Sequence, residues 1–268
     1  MTKPVIKTRI ALTELPEDTD VFFQALGILP GEVEFQEKGA SIKVGTKVYQ
    51  LRYTKEHRNA FQALKLQVKN KGAIQRLIVY PTVRHFPSRD EPYRVAFQVV
   101  GFIKPSPVVG CISEAIQDFE FRLSGLWQFI PVCQTPVVTV LRNFNDERLA
   151  FVKGADLQEK VRFLKASHIP LLWSGSPVKP FRFNPKLDKE KQGKAAFIQI
   201  NAKFLPESDT FEFEALRSLP TSNSPKFLKA GKADKAEALK LSTSQQQQKT
   251  SRFPVVKRVI ATKPSPCL

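Results

Sequence analysis

The chain has 268 residues and carries 42 Lys and Arg against 25 Asp and Glu, which gives a net charge of +17. A soluble domain stays dispersed with a net charge of only about 2 to 8, so this excess indicates an anionic partner such as nucleic acid or a membrane surface. A hydrophobic content of 42%, with 21 Phe, excludes a wholly disordered chain. The length fits one large domain or two smaller ones, and the patterns below favour two.

The sequence predicts a cytoplasmic protein. No apolar stretch reaches the length of about 18 to 20 residues that a membrane-spanning helix requires. The N-terminal sequence, Met1 to Lys7, lacks the apolar region of a secretory signal. The three cysteines form no CxxC pair, which indicates neither a disulfide framework nor a zinc site. No metal and no other cofactor is expected.

The first half, residues 1–104, has short runs rich in Val, Ile, Phe and Tyr that are bounded by Gly, Pro, Asp or Glu, as is typical of β-strands. The segment 55–68 fits either a helix or a further strand. Pro105 and Pro107 then deny backbone donors to a continuing sheet, which predicts a linker over 105–117. The predicted strands are 21–29, 48–53, 76–83 and 94–103.

The second half, residues 118–221, begins with a predicted strand, 119–129, that contains Gly125. A helix is predicted over 155–165, because Asp156 can cap it and its apolar residues recur on one helical face. Trp127 and Trp173 lie in apolar runs and are predicted to be in the core. The remaining predicted strands are 137–143, 148–152, 169–173 and 195–204.

The tail, residues 222–268, has ten basic and two acidic residues, together with a run of four Gln. Such a composition cannot bury enough apolar surface to offset the entropy of ordering, so the tail is predicted to be disordered. Residues 233–241 form at most a short helix, which is marginal in water by itself. Its predicted electrostatic contacts are Lys226, Lys229, Lys232, Lys235, Lys257 and Arg258.

Three matches between the halves predict an internal duplication. Residues 121–126 resemble 23–28, residues 171–173 follow in the place of 78–80, and residues 195–200 resemble 95–100. The matches keep their order, and their offsets of 98, 93 and 100 residues are nearly constant. Chance similarity would scatter these spacings, so a repeat of about 100 residues is indicated.

Three strands, a helix and two further strands, with a glycine inside the first strand, resemble the oligonucleotide/oligosaccharide-binding (OB) fold, a five-stranded partly open barrel. The resemblance covers residues 20–104 and 118–216 and concerns strand order, not a family motif. It implies a mainly β protein with two OB-like β-barrels in tandem, each with a short helix. In such barrels the loop between strands four and five helps to bind single-stranded nucleic acid.

The sequence offers little for catalysis. His57, His85 and His168 lie far apart and in no metal-ligand spacing, and the chain has neither a phosphate-binding glycine loop nor a nucleophile motif. A non-enzymatic protein is therefore expected.

Binding has better candidates, because two loops and one strand pair mix cations, which meet phosphates, with rings, which stack on bases. The rings also fit a structural role as plugs at the barrel ends. The strand pair is formed by strands two and three of the first half, along 43–53, and the loops are 82–94 and 174–194. The candidates are Lys43, Lys47, Tyr49, Arg52 and Tyr53 on the strand pair, Arg84, His85, Phe86, Arg89 and Arg94 in the first loop, and Lys179, Phe181, Arg182, Phe183, Lys186, Lys191 and Lys194 in the second.

The leading hypothesis is a protein that binds single-stranded DNA or RNA with low sequence preference, with the tail adding phosphate contacts. Residues 1–113 carry 17 basic and 10 acidic residues, but residues 114–221 carry 15 and 13. The nearly neutral second half motivates an alternative, an adaptor or scaffold whose barrels bind a protein partner and whose tail makes electrostatic contacts. The second half could then serve for protein contact or for dimerisation, which would make the protein a homo-oligomer. A subunit of a larger β-barrel assembly, such as a capsid or secretion complex, is the third possibility.

Overall fold

The computed structural model describes residues 21–37, 39–54, 56–88, 91–103, 116–188 and 190–251, with the backbone alone for 245–251. The protein is mainly β. The strands are β1 (Gln24–Gln36), β2 (Gly39–Val44), β3 (Lys47–Arg52), β4 (Ile74–Arg84), β5 (Arg94–Phe102), β6 (Glu120–Phe129), β7 (Val137–Val140), β8 (Arg142–Asn143), β9 (Ser167–Leu172), β10 (Phe181–Arg182), β11 (Ala196–Leu205), β12 (Thr210–Thr221) and β13 (Phe227–Leu228). The helices are α1 (Arg58–Lys71), α2 (Asp146–Gly154), α3 (Leu157–Phe163) and α4 (Lys232–Ser251).

The strands of the first half close into a five-stranded barrel. β1, β2, β3, β5 and β4 are hydrogen-bonded in that order, and β4 returns to β1. β3 and β5 are parallel, the other neighbours are antiparallel, and α1 connects β3 to β4. This closed barrel is consistent with an OB-like barrel. The three later strands predicted in this half are confirmed, and residues 58–71 take the helical alternative. Lys43 lies in β2, the first strand of the expected pair.

Strand β1 continues through Pro30, although proline normally disfavours a strand interior. The carbonyl of Ile28 accepts a hydrogen bond from Phe119 N (2.9 Å) on the side away from β4. Pro30 lies two residues on, so its nitrogen points to that same side. The ladder to β6 has ended there at Gly27, and the ladder to β2 begins at Glu32. The missing N–H therefore removes no ladder bond.

A second group of strands forms its own circuit. β6, β7, β9, β12 and β11 are neighbours in that order, and β11 returns to β6. Strand β1 pairs with β6 over Gln24–Gly27 and Phe121–Ser124, which joins this circuit to the barrel in one sheet.

Only the first of the three sequence matches falls on strands with equivalent partners. The match of 23–28 with 121–126 lies where β1 and β6 pair with each other. The match of 95–100 with 195–200 aligns β5 with β11. However, β11 is paired with β6, the first strand of its circuit, and in the barrel the strand paired in this way with β1 is β4. β4 is therefore the counterpart of β11, so the last match does not support a duplication.

One predicted strand, 148–152, is wrong, because these residues lie in α2. The side chain of Asn145 accepts a hydrogen bond from Arg148 N (2.7 Å), and Asp146 and Glu147 lie in the first turn, where carboxylates favour a helix. The predicted helix is confirmed as α3, and Asp156 caps it by accepting from Glu159 N at 2.8 Å.

The two circuits share one hydrophobic core. Phe204 of β11 packs edge-on against Phe97 of β5 and Tyr49 of β3, with ring centroids 5.3 and 5.6 Å apart. Phe121 of β6 contacts Phe97 at 6.1 Å and Phe211 at 5.0 Å. These rings are buried. Trp127 is also buried, and Trp173 packs beside it at 5.7 Å.

Close contacts divide the chain into two compact units. The first holds the described residues up to Val140 together with His168–Pro225, and thus includes strands from both predicted domains. The predicted linker, 105–117, lies outside the described residues except for Ile116 and Gln117. The division into domains at this linker stays a prediction.

The second unit contains residues 141–167 and the described residues from Lys226 onward. β8 pairs with β13, and Lys160 of α3 forms an ion pair with Asp234 of α4 at 2.8 Å. Helix α4 extends well beyond the short helix expected at 233–241. Disorder is therefore not confirmed for the described part of the tail, and residues 252–268 lie outside the described residues. No described helix has both the length and the apolar composition needed to cross a membrane.

Candidate functional site

The closed barrel carries an unusual distribution of charge. Between Gly39 and Phe102 the sequence has twelve Lys and Arg and three acidic residues, Glu56, Asp90 and Glu91. None of these acids lies in β2, β3, β4, β5 or α1. The positive charge of the first half is therefore concentrated on β2 to β5 and on α1, where no carboxylate on the same element offsets it, whereas β1 carries Glu32 and Glu34.

The strand register places four of these cations on one outer surface. Lys43 is paired with Val48, and Arg94 with Arg84, while Gln50 lies opposite Ala96 and Arg52 opposite Gln98. Directly opposite residues share one side of a sheet. The "barrel face" is defined here as the residues on this side of the sheet, Ser41, Lys43, Val48, Gln50, Arg52, Tyr80, Thr82, Arg84, Arg94, Ala96 and Gln98. Of these, Ala96 is buried and Tyr80 packs in part against the core.

Most of the charged part of the barrel face is exposed to solvent. Lys43, Arg52, Arg84 and Arg94 are all exposed, and Val48 retains 65% of its accessible surface. Neighbouring strands lie about 4.8 Å apart, so a row that crosses four strands from Lys43 to Arg84 spans roughly 15 Å. Acidic side chains begin only on the next strand, where Glu32 is opposite Lys43.

Phe86 lies at one end of the barrel face, close to two guanidinium groups. The Cζ atoms of Arg84 and Arg94 are 5.1 and 5.2 Å from the centroid of its ring. The ring is half-buried, and Arg94 also forms an exposed ion pair with Glu91 at 3.2 Å. Cations at this distance interact favourably with the ring face. The cluster therefore combines one ring with two cations, as single-strand binding sites do.

The base of this loop is anchored to the second circuit. His85 Nε2 is 2.8 Å from the carbonyl oxygen of His168, and the hydroxyl of Tyr93 is hydrogen-bonded to that of Thr210. Burial raises the pKa of the Tyr93 phenol, although the bond to Thr210 opposes this effect. His85 therefore holds the loop instead of facing a ligand. The remaining candidate of the loop, Arg89, lies outside the described residues.

Lys47 and Tyr49 are not on the barrel face. Tyr49 is buried, and its hydroxyl donates to the Asp209 carboxylate (2.7 Å) and lies 3.0 Å from the carbonyl oxygen of Pro206. Burial, with Asp209 beside it, raises the pKa of this phenol. Lys47 forms an ion pair with Asp209 at 2.9 Å and donates to Glu207 O at 3.0 Å. Both side chains fix the β11–β12 turn against the barrel and are not free to bind a ligand.

The other two candidates on β3 and after it have different surroundings. Arg52 is exposed on the barrel face, where its guanidinium donates to Gln50 Oε1 at 2.8 Å. The ring of Tyr53 is stacked on Phe61 of α1, with centroids 4.3 Å apart, yet 47% of the residue is exposed. Arg52 therefore belongs with the barrel-face cations, while Tyr53 packs on the helix.

The second predicted loop forms a separate cationic surface. Phe181 and Arg182 pair with β6 as strand β10, and Arg182 Cζ lies 4.2 Å from the ring centroid of Phe129. Phe183 is 62% exposed. The side chain of Gln192 bridges the loop by donating to the carbonyls of Asn184 and Leu187. The exposed cations are Lys179, Arg182, Lys186, Lys191 and Lys194.

The two loops occupy different positions in their circuits. The first joins the fourth and fifth barrel strands, as predicted, but the second joins β9 to β11. The connection between the last two strands of the second circuit is the short turn from Leu205 to Thr210, which holds Lys47 and Tyr49. The second loop is therefore not the topological counterpart of the first.

The tail cations lie in the second unit. Lys226, Lys229, Lys232 and Lys235 are exposed, at β13 and the start of α4, while Lys257 and Arg258 lie outside the described residues. The sequence prediction missed the contributions of Ser41, Val48, Gln50, Thr82 and Gln98 to the barrel face. Alternation in β2, where Ala40, Ile42 and Val44 face inward, is the signal that would have placed Lys43 outward.

Among the described residues, no group of three or more His, Cys, Asp or Glu side chains is arranged to hold a metal ion. Comparison with models of known protein families gave no match, and comparison with curated proteins found none with significant sequence similarity. The barrel face and the two cationic loops are therefore the features of the molecule that indicate its function.

Proposed function

We propose that this protein is a non-enzymatic, nucleic-acid-binding protein that takes single-stranded DNA or RNA across the barrel face with little sequence preference. The observation that carries the proposal is the Arg84–Phe86–Arg94 cluster beside a strand surface that has cations and no carboxylates. Arginine and lysine neutralise phosphates in any sequence, and every base offers a ring face for stacking. Low sequence preference follows from contacts of this kind.

The second circuit has the role of a second OB-like barrel in this proposal. Its neighbours follow the order of the first barrel, with β9 and β12 parallel as β3 and β5 are. The exposed ring of Phe183 and the surrounding lysines supply further stacking and phosphate contacts, and the tail cations add charge. Because acidic residues nearly balance the cations in this half, most of the affinity is assigned to the first barrel.

The test is a fluorescence-anisotropy titration of the full-length protein with labelled single-stranded DNA, single-stranded RNA and duplex DNA at several salt concentrations. Replacing Arg84 and Arg94 together by Ala is expected to lower the salt slope of log K by about 1.4, since each phosphate contact on a single strand contributes about 0.7. Lys203→Ala is the control, because Lys203 is an exposed cation on β11, away from the barrel face. If Lys203→Ala lowers the salt slope as much per charge as the loss of Arg84 and Arg94 does, the binding is a non-specific attraction between the protein and phosphates.

Stacking is tested at Phe86. Phe86→Leu keeps an apolar side chain in a half-buried position but removes the ring, so it is expected to fold normally and to lose about 1 to 3 kcal/mol of binding energy. Deleting residues 252–268 is expected to weaken binding but to preserve the preference for single strands. If binding is lost with that deletion and is insensitive to Phe86, the barrel face is not the site.

A further inference from the structure

A groove of about 630 Å³ lies on the first barrel between α1 and the far end of β1. One wall is a helical stripe with spacing i, i+3, i+4 and i+7, formed by Gln62, Lys65, Leu66 and Lys69. Phe61 and Leu64 face the barrel instead and are buried. The stripe is therefore an exposed flank of α1, next to its buried face.

The floor of the groove is apolar. Val33, Phe35 and Val68 line it, and Leu66 projects at the rim with 63% of its surface exposed. The main chain of β1 also faces the groove. Val33 N donates to Ala73 O (2.8 Å), next to the end of α1. Phe35 lies two residues later in the strand, so its backbone N–H and C=O point to the same side as those of Val33. The groove thus offers apolar contact together with a strand edge.

The charge around this floor is asymmetric. Lys65 and Lys69 line the α1 wall, and α1 contains Arg58 and Lys71 but no acidic residue. The β1 wall carries Glu34. A nucleic-acid strand has phosphates along its length and no aliphatic side chain to bury, so Glu34 and the apolar floor disfavour it. A peptide with apolar side chains and carboxylates on one side complements both the floor and the two lysines.

We propose that the groove is a docking site for an acidic segment of a partner protein, which places apolar side chains between Phe35 and Leu66 and carboxylates against Lys65 and Lys69. The groove and the Arg84–Phe86–Arg94 cluster lie at opposite ends of β4, which runs from Ile74 near α1 to Arg84. The strand has eleven residues, and its roughly ten steps of about 3.3 Å separate the two ends by roughly 33 Å. The barrel can therefore hold a partner segment and a nucleic-acid strand together.

The test uses full-length protein and two labelled synthetic peptides composed of Asp, Glu, Leu and Phe, one with an apolar residue at every second position and one with helical spacing. Each has a neutral form with Asn and Gln in place of the acids. Saturable binding of at least one acidic peptide is expected, with about tenfold weaker binding of its neutral form. Leu66→Ser, and Lys65→Glu with Lys69→Glu, are each expected to weaken binding by about tenfold or more.

Matched controls are Leu239→Ser, at a leucine that is 68% exposed on α4, and Lys153→Glu with Lys203→Glu, which changes the net charge equally. The Arg84 and Arg94 alanine variant is expected to bind peptide normally, which separates this site from nucleic-acid binding. Equal binding by all variants, or no binding of either acidic peptide, would overturn the proposal. A wild-type dimer that Leu66→Ser converts to a monomer in analytical ultracentrifugation would instead assign the groove to a second copy of the chain.

Discussion

At the scale of single residues, Gly27 fixes the point where three strands meet. It is paired with Val79 on β4 and with Phe121 on β6. A Cβ atom at this position would lie 2.3 Å from the Phe121 ring and 2.6 Å from Glu120 O, which neither a buried ring nor a backbone carbonyl can accommodate by small shifts. Glycine is therefore required here by close packing between strands and not by an unusual backbone angle.

Gly27→Ala is expected to destabilise the protein by about 3 kcal/mol, the upper range for overpacking of a core. The measurement is the midpoint of urea unfolding by far-UV circular dichroism. Gly154→Ala is the control, because an added Cβ there meets no atom within 4 Å. If both variants unfold at the same urea concentration, the close approach of β1 and β6 is not as described.

Cys133 gives a second prediction at this scale. It is buried, with 2% of its surface exposed, and burial raises the pKa of its thiol to about 11. Only the thiolate is nucleophilic, and at pH 8 such a thiol is ionised to about one part in a thousand. In a chain with Cys111 and Cys267 replaced by Ser, reaction with Ellman's reagent is expected to be slow and to accelerate as pH rises towards 11. If Cys133 of the native protein reacted with the reagent as fast as it does in urea, the thiol would not be buried as described.

At the scale of elements, the β11–β12 turn joins the two strand circuits through Asp209. Its carboxylate accepts from Tyr49 and pairs with Lys47. Asp209 itself has a φ of 56°, a conformation that a turn residue such as Asp tolerates and most others do not. The turn therefore combines a special backbone position with a buried polar contact to β3.

Tyr49→Phe is expected to cost about 1 to 2 kcal/mol of unfolding free energy, because it removes a part-buried hydrogen bond to the charged Asp209 carboxylate. In an Asp209→Gly background, which keeps the φ of the turn accessible, the same substitution is expected to cost less. Urea titrations of the four variants give the coupling energy. Tyr53→Phe is the control, since Tyr53 is 47% exposed. Strict additivity would show that the turn and β3 are not coupled.

Local patterns predict elements better than they predict partners. Asp156 marked the start of α3, and the apolar runs marked β4 and β5, because caps and strand composition act within a few residues. Residues 148–152 are mostly apolar and resemble a strand in composition, yet they are helical because the N-cap at Asn145 starts a helix just before them. The role of Lys47 was not predictable, because its partner Asp209 lies 162 residues away in sequence and only the folded sheet brings them together.

At the scale of the whole molecule, the shared core decides how the two circuits unfold. Phe97 and Phe204 come from different circuits and are both buried against each other. Sequence patterns place each ring inside a strand, but the contact between the two circuits depends on which strands become neighbours, and composition carries no such information. Two circuits with one core are expected to unfold as a single cooperative unit.

The tryptophans provide the measurement, because Trp127 and Trp173 are the only two in the chain and both belong to the second circuit. Leu77→Ala removes a fully buried side chain from β4 in the first barrel and is expected to cost about 3 kcal/mol. If the circuits unfold together, the urea midpoint of tryptophan fluorescence falls as far as the midpoint by circular dichroism. Leu239→Ala, at an exposed position of α4, is expected to shift neither. A fluorescence midpoint that stays at the wild-type value would mean that the two circuits are independent domains, in spite of the rings they share.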